Sequence, residues 1–215
     1  MKACTQGILH ELILNYPKVA PLSGAIVEAF GILERCIRDG GKVMVCGNGG
    51  SAADAEHIVG EMMKDYLMKR PIPQSDARKI IAAAPQAGPE LCSKLQRVLP
   101  ALSLVSQVSL STAMANDVDA GMAFAQQVYG YGRSGDVLIA ISTSGNARNV
   151  LYAAMVAKAF DIAVIGMTGA NGGNLKEWCD VAICAPADTT WRIQEYHQPI
   201  YHAVCGMLEA EIFGD

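Results

Sequence analysis

Hydrophobic residues along this chain form short continuous runs, and between the runs they recur at helical spacing. The clearest runs are Val43–Cys46, Val137–Ile141 and Val181–Cys184, and similar runs cover residues 162–166 and 101–105. Continuous apolar strands between helical segments are typical of a parallel sheet that is covered on both faces. The pattern therefore predicts an α/β fold, a three-layer sandwich with a doubly wound parallel sheet of about five strands.

Helices are predicted where apolar residues return every three or four positions. They cover residues 51–64, 121–130, 146–159 and 191–213, and Pro199 predicts a kink or local break in the last of them. Residues 1–40 form an N-terminal helical segment that is interrupted at 17–21. Residues 70–99 differ, because prolines and a glycine separate two short helices at 75–84 and 90–98, and we interpret this stretch as an insertion. No linker divides the chain, so residues 1–215 are predicted to form a single domain.

Composition narrows the class of protein. Hydrophobic residues make up 51% of the 215-residue chain, which favours one globular α/β domain over a disordered chain. The net charge of -4, without a run of Lys or Arg, argues against nucleic acid as a partner. The seven cysteines contain no CxxC pair, and this predicts buried reduced thiols in a cytoplasmic protein. The polar N-terminus does not fit a signal peptide, and no apolar run reaches membrane-spanning length, so no membrane partner is predicted.

Two strands run into loops with the composition of a ligand site. Val43–Cys46 precedes the sequence GNGGS at 47–51, and Val137–Ile141 precedes STSGN at 142–146. Backbone amides and hydroxyls at a helix start suit a phosphate dianion, and the carboxyl ends of parallel strands are where open α/β sheets bind ligands. One such loop alone is more often a capped helix, but two of the same design favour a ligand site. Neither loop is a P-loop, and the first matches the dinucleotide pattern only with Ala52 in its last position, which leaves a nucleotide open as a ligand.

Titratable side chains lie close to the first loop and on the last predicted helix. His57 and Glu61 are four residues apart and share a helix face, and Gln194 and His202 are eight apart and can also share one. This set fits either a divalent metal such as zinc or a general base and acid that move a proton between adjacent carbons. Spacing alone also allows an ordinary surface pair and a buried core histidine.

Asn116 and Asp117 form a third polar candidate, which follows an apolar helix-like stretch. A polar turn is one interpretation of these two residues, and a contact to sugar hydroxyls is the other.

Five motifs occur in a fixed order from about residue 20: CGNGGSA, ANDVDA, AISTSGN, VIGMTGANGG and RIQEYH followed by a histidine. Together they resemble the sugar isomerase (SIS) domain family, most closely its phosphoheptose isomerase branch. The resemblance implies a flavodoxin-like SIS fold and an enzyme of carbohydrate metabolism. The implied reaction is a ketose–aldose isomerisation, which converts D-sedoheptulose 7-phosphate to D-glycero-D-manno-heptose 7-phosphate by an enediol mechanism.

The resemblance also implies roles for residues, transferred by motif position. Glu61 and His202 would be the catalytic base and acid. The substrate would contact the first loop, the second loop and four other residues: Asn48, Gly49, Gly50, Ser51, Ser142, Thr143, Ser144, Glu61, Asn116, Asp117 and Gln194. Of these, residues 142–144 would hold the phosphate. One zinc ion per subunit would be bound by His57, Glu61, Gln194 and His202. The implied assembly is a cytoplasmic homotetramer with shared active sites.

Departures from the family pattern keep other functions open. Ala147 stands where many members have a further phosphate-binding serine, Trp191 stands where some have an aspartate, and residues 70–99 are longer than usual. One alternative is therefore an isomerase of another sugar phosphate. Another is a non-catalytic SIS protein that binds a replication-initiation partner or senses a sugar phosphate, although the presence of both Glu61 and His202 favours an enzyme.

Overall fold

Five parallel strands form one sheet in the computed structural model, which describes residues 1–214. The strands lie in the order β2-β1-β3-β4-β5 and are β1 (Val43–Cys46), β2 (Ala101–Ser103), β3 (Val137–Ile141), β4 (Ala163–Thr168) and β5 (Val181–Cys184). The predicted bounds of β1, β3 and β5 are confirmed. Strand β4 lies slightly further along the chain than 162–166, and β2 ends before residue 105. From the centre the chain moves outward to β2 on one side and to β5 on the other, so the crevice between β1 and β3 is the switch point where such sheets bind ligands.

Helices cover both faces of the sheet, as the continuous apolar strands predicted. Along β1, Val43 and Val45 belong to one buried cluster, while Met44 and Cys46 belong to the other. The first cluster includes apolar residues of the N-terminal and C-terminal helices, and the second includes Val150 and its neighbours. Because successive strand residues point to opposite faces, both sets of side chains leave water only when helices pack on each side.

Nine α-helices surround the sheet within residues 1–214. They are α1 (Ala3–Asn15), α2 (Ser23–Arg38), α3 (Gly50–Met63), α4 (Gln74–Ala83), α5 (Gly88–Lys94), α6 (Val108–Met114), α7 (Ala123–Tyr131), α8 (Arg148–Ala159) and α9 (Thr190–Phe213). The break predicted at 17–21 is a 3₁₀ helix, Pro17–Leu22. Helix α9 continues through Pro199, so the predicted local break is wrong. None of these helices combines the length and the apolar character needed to cross a bilayer.

The two ends of the segment 70–99 lie next to each other. The Arg97 N–H donates to the Arg70 carbonyl at 2.7 Å, and the Asp65 N–H donates to the Gln96 side-chain oxygen at 2.8 Å. Between these contacts α4 and α5 pack on each other, close to the two short helices predicted from the sequence. The interpretation of this stretch as an insertion stays a prediction.

A buried ion pair joins the end of α3 to α9. Arg70 and Glu209 are both fully buried, and their Nε and Oε1 atoms lie 2.5 Å apart. Arg70 also donates to the carbonyls of Met62 at 3.0 Å and Glu61 at 2.9 Å, which are free because α3 ends there. The Glu209 carboxylate accepts backbone N–H groups from Tyr66, Leu67 and Met68. The pair therefore fixes where the last turn of α3 lies against α9.

His197 ties α9 to the end of β4. Its Nε2 lies 3.0 Å from the Thr168 carbonyl, and its Nδ1 is buried without a partner among the described residues. Burial lowers the pKa of His197 below its usual 6.5, although the hydrogen bond to Thr168 opposes the shift. The folded chain therefore holds this imidazole neutral at a pH where the unfolded chain already takes up a proton.

We expect His197→Gln to flatten the pH dependence of stability below about pH 6.5. In the wild-type protein the free energy of unfolding should fall as the pH falls from 6.5 towards the lowered pKa of His197, because only the unfolded state gains this proton. The contribution is at most about 1.4 kcal/mol per pH unit. Urea unfolding between pH 5 and 7.5 measures how the free energy of unfolding of each protein changes with pH. Equal slopes in the wild type and in His197→Gln would contradict the lowered pKa of His197.

Candidate active site

Two loops frame one cavity at the switch point of the sheet. The first joins β1 to α3 and the second joins β3 to α8, and the cavity between them has a volume of about 300 Å³. Its walls include seven of the predicted substrate-binding residues of the loops: Asn48, Gly49, Gly50, Ser51, Ser142, Thr143 and Ser144. Thr190 and Gln194 of α9 close another side. The structure thus brings both predicted loops to one place, together with the start of the last helix.

The second loop is held in shape by its own hydrogen bonds and by a glycine-rich neighbour. The Gly145 N–H donates to the Ser142 carbonyl at 2.9 Å, and the Asn146 N–H donates to the Ser144 hydroxyl at 3.1 Å. Gly145 has a φ of 66°, and a Cβ atom there would overlap the Gly172 carbonyl oxygen. The loop after β4 therefore packs directly against the loop after β3, and this contact requires glycine in both loops.

Helix α8 begins at Arg148, two residues later than predicted. The serine-rich loop is therefore separated from the helix by Ala147, and it contains no cationic side chain. Arg148 itself pairs with Asp119, away from the loop. Any anion in the cavity would accordingly be held by backbone amides and hydroxyl groups.

A second cavity of about 460 Å³ adjoins the first and is lined by His57. Gly50 and Gln194 border both cavities. A Cβ atom on Gly50 would overlap the Gln194 amide, so the glycine allows this side chain to lie against the first loop. Gln194 consequently stands between the loop cavity and the titratable residues.

Three of the four predicted metal ligands come together beside this cavity. His57 Nε2 lies 3.2 Å from Glu61 Oε1 and 3.4 Å from His202 Nε2. The Glu61 side chain is only 13% exposed. Its Oε2 atom is buried without a hydrogen bond in the described chain, and the nearest cation is Lys64 Nζ at 3.6 Å. A carboxylate oxygen without a donor is a free acceptor, for a proton or for a cation.

The separations in this cluster fit the donor spacing of a small divalent ion. Two ligands of a tetrahedral zinc ion with bonds of 2.0–2.1 Å lie roughly 3.3–3.4 Å apart. The distances from His57 Nε2 to Glu61 and His202 are close to that value. Nevertheless, no three His, Cys, Asp or Glu side chains of residues 1–214 are already arranged to hold a metal ion. The donor types therefore fit, and closure on an ion would need a side-chain adjustment and a donor of another type such as Gln194.

Burial changes the proton affinity of the groups around His57. Burial lowers the pKa of His202, nearby His57 lowers it further, and Glu61 opposes the shift. Burial also raises the pKa of Tyr201, with a further contribution from the neighbouring Asp54 carboxylate. His202 is therefore neutral at neutral pH, with an N–H group to donate and a lone pair to accept.

A model of the SIS domain matches residues 18–79 and 77–169 of the chain. The phosphoheptose isomerase of Rhodospirillum rubrum is 42% identical over 185 residues, which cover 86% of this chain and 85% of the relative. The chain belongs to the SIS domain family. Both loops and the His57–Glu61 helix lie inside the matched part of the SIS domain, whereas Gln194 and His202 follow it on α9.

Solved SIS domain structures have the same fold. Phosphoheptose isomerase from Neisseria gonorrhoeae aligns with a TM-score of 0.69 at 33% identity, over 92% of this chain and 91% of the other. The enzyme from Francisella tularensis aligns with a TM-score of 0.71 at 29% identity, over 86% and 85%. Within the SIS domain family, the chain therefore lies in the phosphoheptose isomerase branch, as its motifs indicated.

Asn116 and Asp117 lie apart from both cavities of this SIS domain. They are exposed on a π-helical turn, Ala115–Asp119, and the Asn116 amide donates to the Asp117 carboxylate at 2.7 Å. Neither residue borders the loop cavity or the His57 cavity. Their predicted contact to a sugar stays a prediction, because the single chain does not bring them to the other candidates.

Three polar residues near the site of the SIS domain were missed by the sequence analysis. Asn149 exchanges two amide hydrogen bonds with Asn48, at 2.8 and 2.9 Å, and so joins α8 to the first loop. Asp54 and Tyr201 contact each other, and Tyr201 contacts His57. A signal was available, since Asp54 lies three residues before His57 and Tyr201 directly precedes His202, but adjacency alone does not reveal which side chains meet.

Proposed function

We propose that this chain is a ketose–aldose isomerase that converts D-sedoheptulose 7-phosphate to D-glycero-D-manno-heptose 7-phosphate. Relatives that bear the name phosphoheptose isomerase support this substrate at 34–42% identity over most of the chain. The observation that carries the proposal is the cluster of Glu61 and His202 around His57, beside the cavity that adjoins the loop cavity. A binding protein for the same sugar would need the cavity but not the acid and base.

The second loop holds the phosphate in this proposal. Ser142, Thr143 and Ser144 offer hydroxyl groups, and the neighbouring backbone offers N–H groups, which together can surround a dianion without a cation. The first loop lines the sugar with residues 48–51, and Gln194 reaches the substrate from α9. The carbon chain then extends from the phosphate cavity towards His57, because the two cavities meet at Gln194.

Glu61 acts as the base of the reaction. Its carboxylate removes a proton from C1 of the ketose. The electrons of that C–H bond form the C1–C2 double bond of the enediol, while the π electrons of the C2 carbonyl move onto its oxygen. The proton then returns to C2, which makes the aldose. Burial and the lack of a donor at Oε2 leave Glu61 with an unshared acceptor for this step. His202 moves the second proton between the oxygens on C2 and C1, for which a neutral imidazole is suited.

We further propose a zinc site formed by His57, Glu61, Gln194 and His202, with one ion per subunit. The donor types and the two measured separations support it. A bound zinc ion would supply Lewis acidity to polarise the substrate carbonyl. Aligning the carbon chain and moving both protons remain tasks of the protein side chains.

A homotetramer with shared active sites is the proposed assembly. It would give Asn116 and Asp117 access to a neighbouring subunit's substrate, which the single chain does not provide. Exposed apolar side chains support it, since Val108 at the start of α6 and Val118 on the π-helical turn are each 68% exposed. A cytoplasmic location is proposed because all seven cysteines are free thiols.

Incubating the purified protein with D-sedoheptulose 7-phosphate tests the function. We expect the aldose 7-phosphate to accumulate, and a chelator to slow the reaction until zinc is restored. A hexulose 6-phosphate serves as the comparison substrate for the alternative sugar. Absence of turnover with zinc present would reject the isomerase and leave a protein that only binds or senses the sugar phosphate.

A further inference from the structure

A short hydrogen-bonded chain leads from the His57 ring into α3 and α9. The Tyr201 hydroxyl lies 3.1 Å from His57 Nδ1 and 3.3 Å from Asp54 Oδ1. Tyr201 is only 3% exposed, and its ring packs edge-on against His57 with 5.6 Å between the ring centroids. The Tyr201 hydroxyl therefore contacts the ring nitrogen of His57 that does not contact Glu61 and His202.

The direction of these hydrogen bonds follows from the groups involved. A tyrosine hydroxyl has one proton, and an ionised carboxylate can only accept. Tyr201 therefore donates its proton in the hydrogen bond to Asp54, and its oxygen accepts a hydrogen bond from His57. His57 then carries its proton on Nδ1, which leaves the lone pair on Nε2.

We propose that Tyr201 and Asp54 are positioning residues that hold His57 in its Nδ1–H tautomer, so that the Nε2 lone pair faces Glu61 and His202. The ring nitrogen that lies 3.2 Å from Glu61 and 3.4 Å from His202 is the one left unprotonated. The His57 lone pair and the Glu61 carboxylate then face each other, an arrangement that a divalent ion satisfies. Partners behind a metal-binding histidine commonly set its tautomer in this way.

Asp54 has no other partner among the described residues, which supports its role in this chain. Its Oδ2 atom is buried without a hydrogen bond, so the contact to Tyr201 is the one that orients the carboxylate. The carboxylate also borders the cavity that His57 lines. A partly buried carboxylate with a single donor is sensitive to the loss of that donor.

The tautomer of His57 can be measured without catalysis. Long-range ¹H–¹⁵N spectra of the metal-free, histidine-labelled full chain distinguish the two ring nitrogens, and the loss of one signal set in His57→Asn assigns the residue. We expect Nδ1–H in the wild-type protein and a mixture of tautomers in Tyr201→Phe, which keeps the ring and removes the hydroxyl. Tyr129→Phe, at an exposed tyrosine, is the matched control.

Zinc affinity supplies a second measurement, by competition with a chromophoric chelator. Tyr201→Phe and Asp54→Asn should each weaken zinc binding by about 10- to 100-fold. Asp76→Asn, an exposed aspartate on α4, should leave it unchanged. Thermal unfolding of each variant confirms that the chain is still folded.

The outcomes separate this inference from the proposed function on which it rests. An Nε2–H tautomer in the wild-type protein, or unchanged zinc affinity in both variants, would overturn the positioning role even if the chain isomerises the sugar. The expected tautomer in a chain that shows no turnover would support the positioning role and reject the isomerase.

Discussion

Glu61→Gln is expected to lower kcat for D-sedoheptulose 7-phosphate by at least about 10³-fold, within the range that a general base contributes. Glutamine has nearly the same size as glutamate and keeps the uncharged contacts of this side chain on α3. Its amide, however, cannot accept the proton from C1. It is also a weaker ligand than a carboxylate, so zinc affinity should fall as well. A coupled assay for the aldose product measures the loss, and size-exclusion chromatography confirms that the assembly is intact.

Glu90→Gln is the matched control for this loss. Glu90 is an exposed glutamate on α5 that pairs with Lys94, and its replacement should leave kcat unchanged. Retained activity in Glu61→Gln would remove Glu61 from the role of base. Direct zinc titration of the variant distinguishes a lost base from a lost ligand, because a variant that still binds zinc but does not turn over has lost the proton acceptor.

Arg70→Met is expected to lower the free energy of unfolding by about 3–5 kcal/mol, the usual cost of removing one partner from a buried ion pair. The Glu209 carboxylate would stay buried without its cation, and the carbonyls of Glu61 and Met62 would lose their donor. Methionine fills much of the same volume as arginine. The loss of unfolding free energy therefore comes mainly from the missing charge and hydrogen bonds, and less from a cavity. Urea unfolding measures it.

Two further variants decide whether charge is the cause. Adding Glu209→Gln to Arg70→Met removes the unpaired carboxylate, and we expect the double variant to be more stable than Arg70→Met alone. Lys94→Met breaks an exposed pair and should change stability by less than about 1 kcal/mol. A loss below that value in Arg70→Met would show that the buried pair contributes little.

The strands and the two loops could be predicted from the sequence because their signals are local. A continuous apolar run such as Val137–Ile141 is strand in the structure at the same bounds, and the polar residues after it line the cavity. Helix starts were less accurate, since α8 begins after Ala147 although Asn146 is a common capping residue. There the loop packs on Gly172 and Gly173, and this tertiary contact outweighs the local capping preference.

Contacts between distant segments could not be predicted from spacing. Spacing suggested a helix face for His57 with Glu61 and another for Gln194 with His202, but the 3.4 Å between His57 and His202 depends on how α3 and α9 pack. Nothing in the local sequence distinguishes Arg70 from the other arginines of the chain. It is nevertheless fully buried, because Glu209 lies opposite it. The sugar contact of Asn116 and Asp117 stays a prediction, because neither residue borders either cavity in the structure.

Helix α9 has a consequence for the order in which the protein becomes functional. It supplies Gln194, Tyr201 and His202 to the site and Glu209 to the buried pair, but it follows every strand in the chain. During translation, which adds about 5–20 residues per second, the sheet and both loops are synthesised first. A nascent chain that has completed β5 therefore has the loop proposed to hold the phosphate, but it lacks the proposed catalytic acid and leaves Arg70 without its carboxylate. Activity should appear only when the last helix docks.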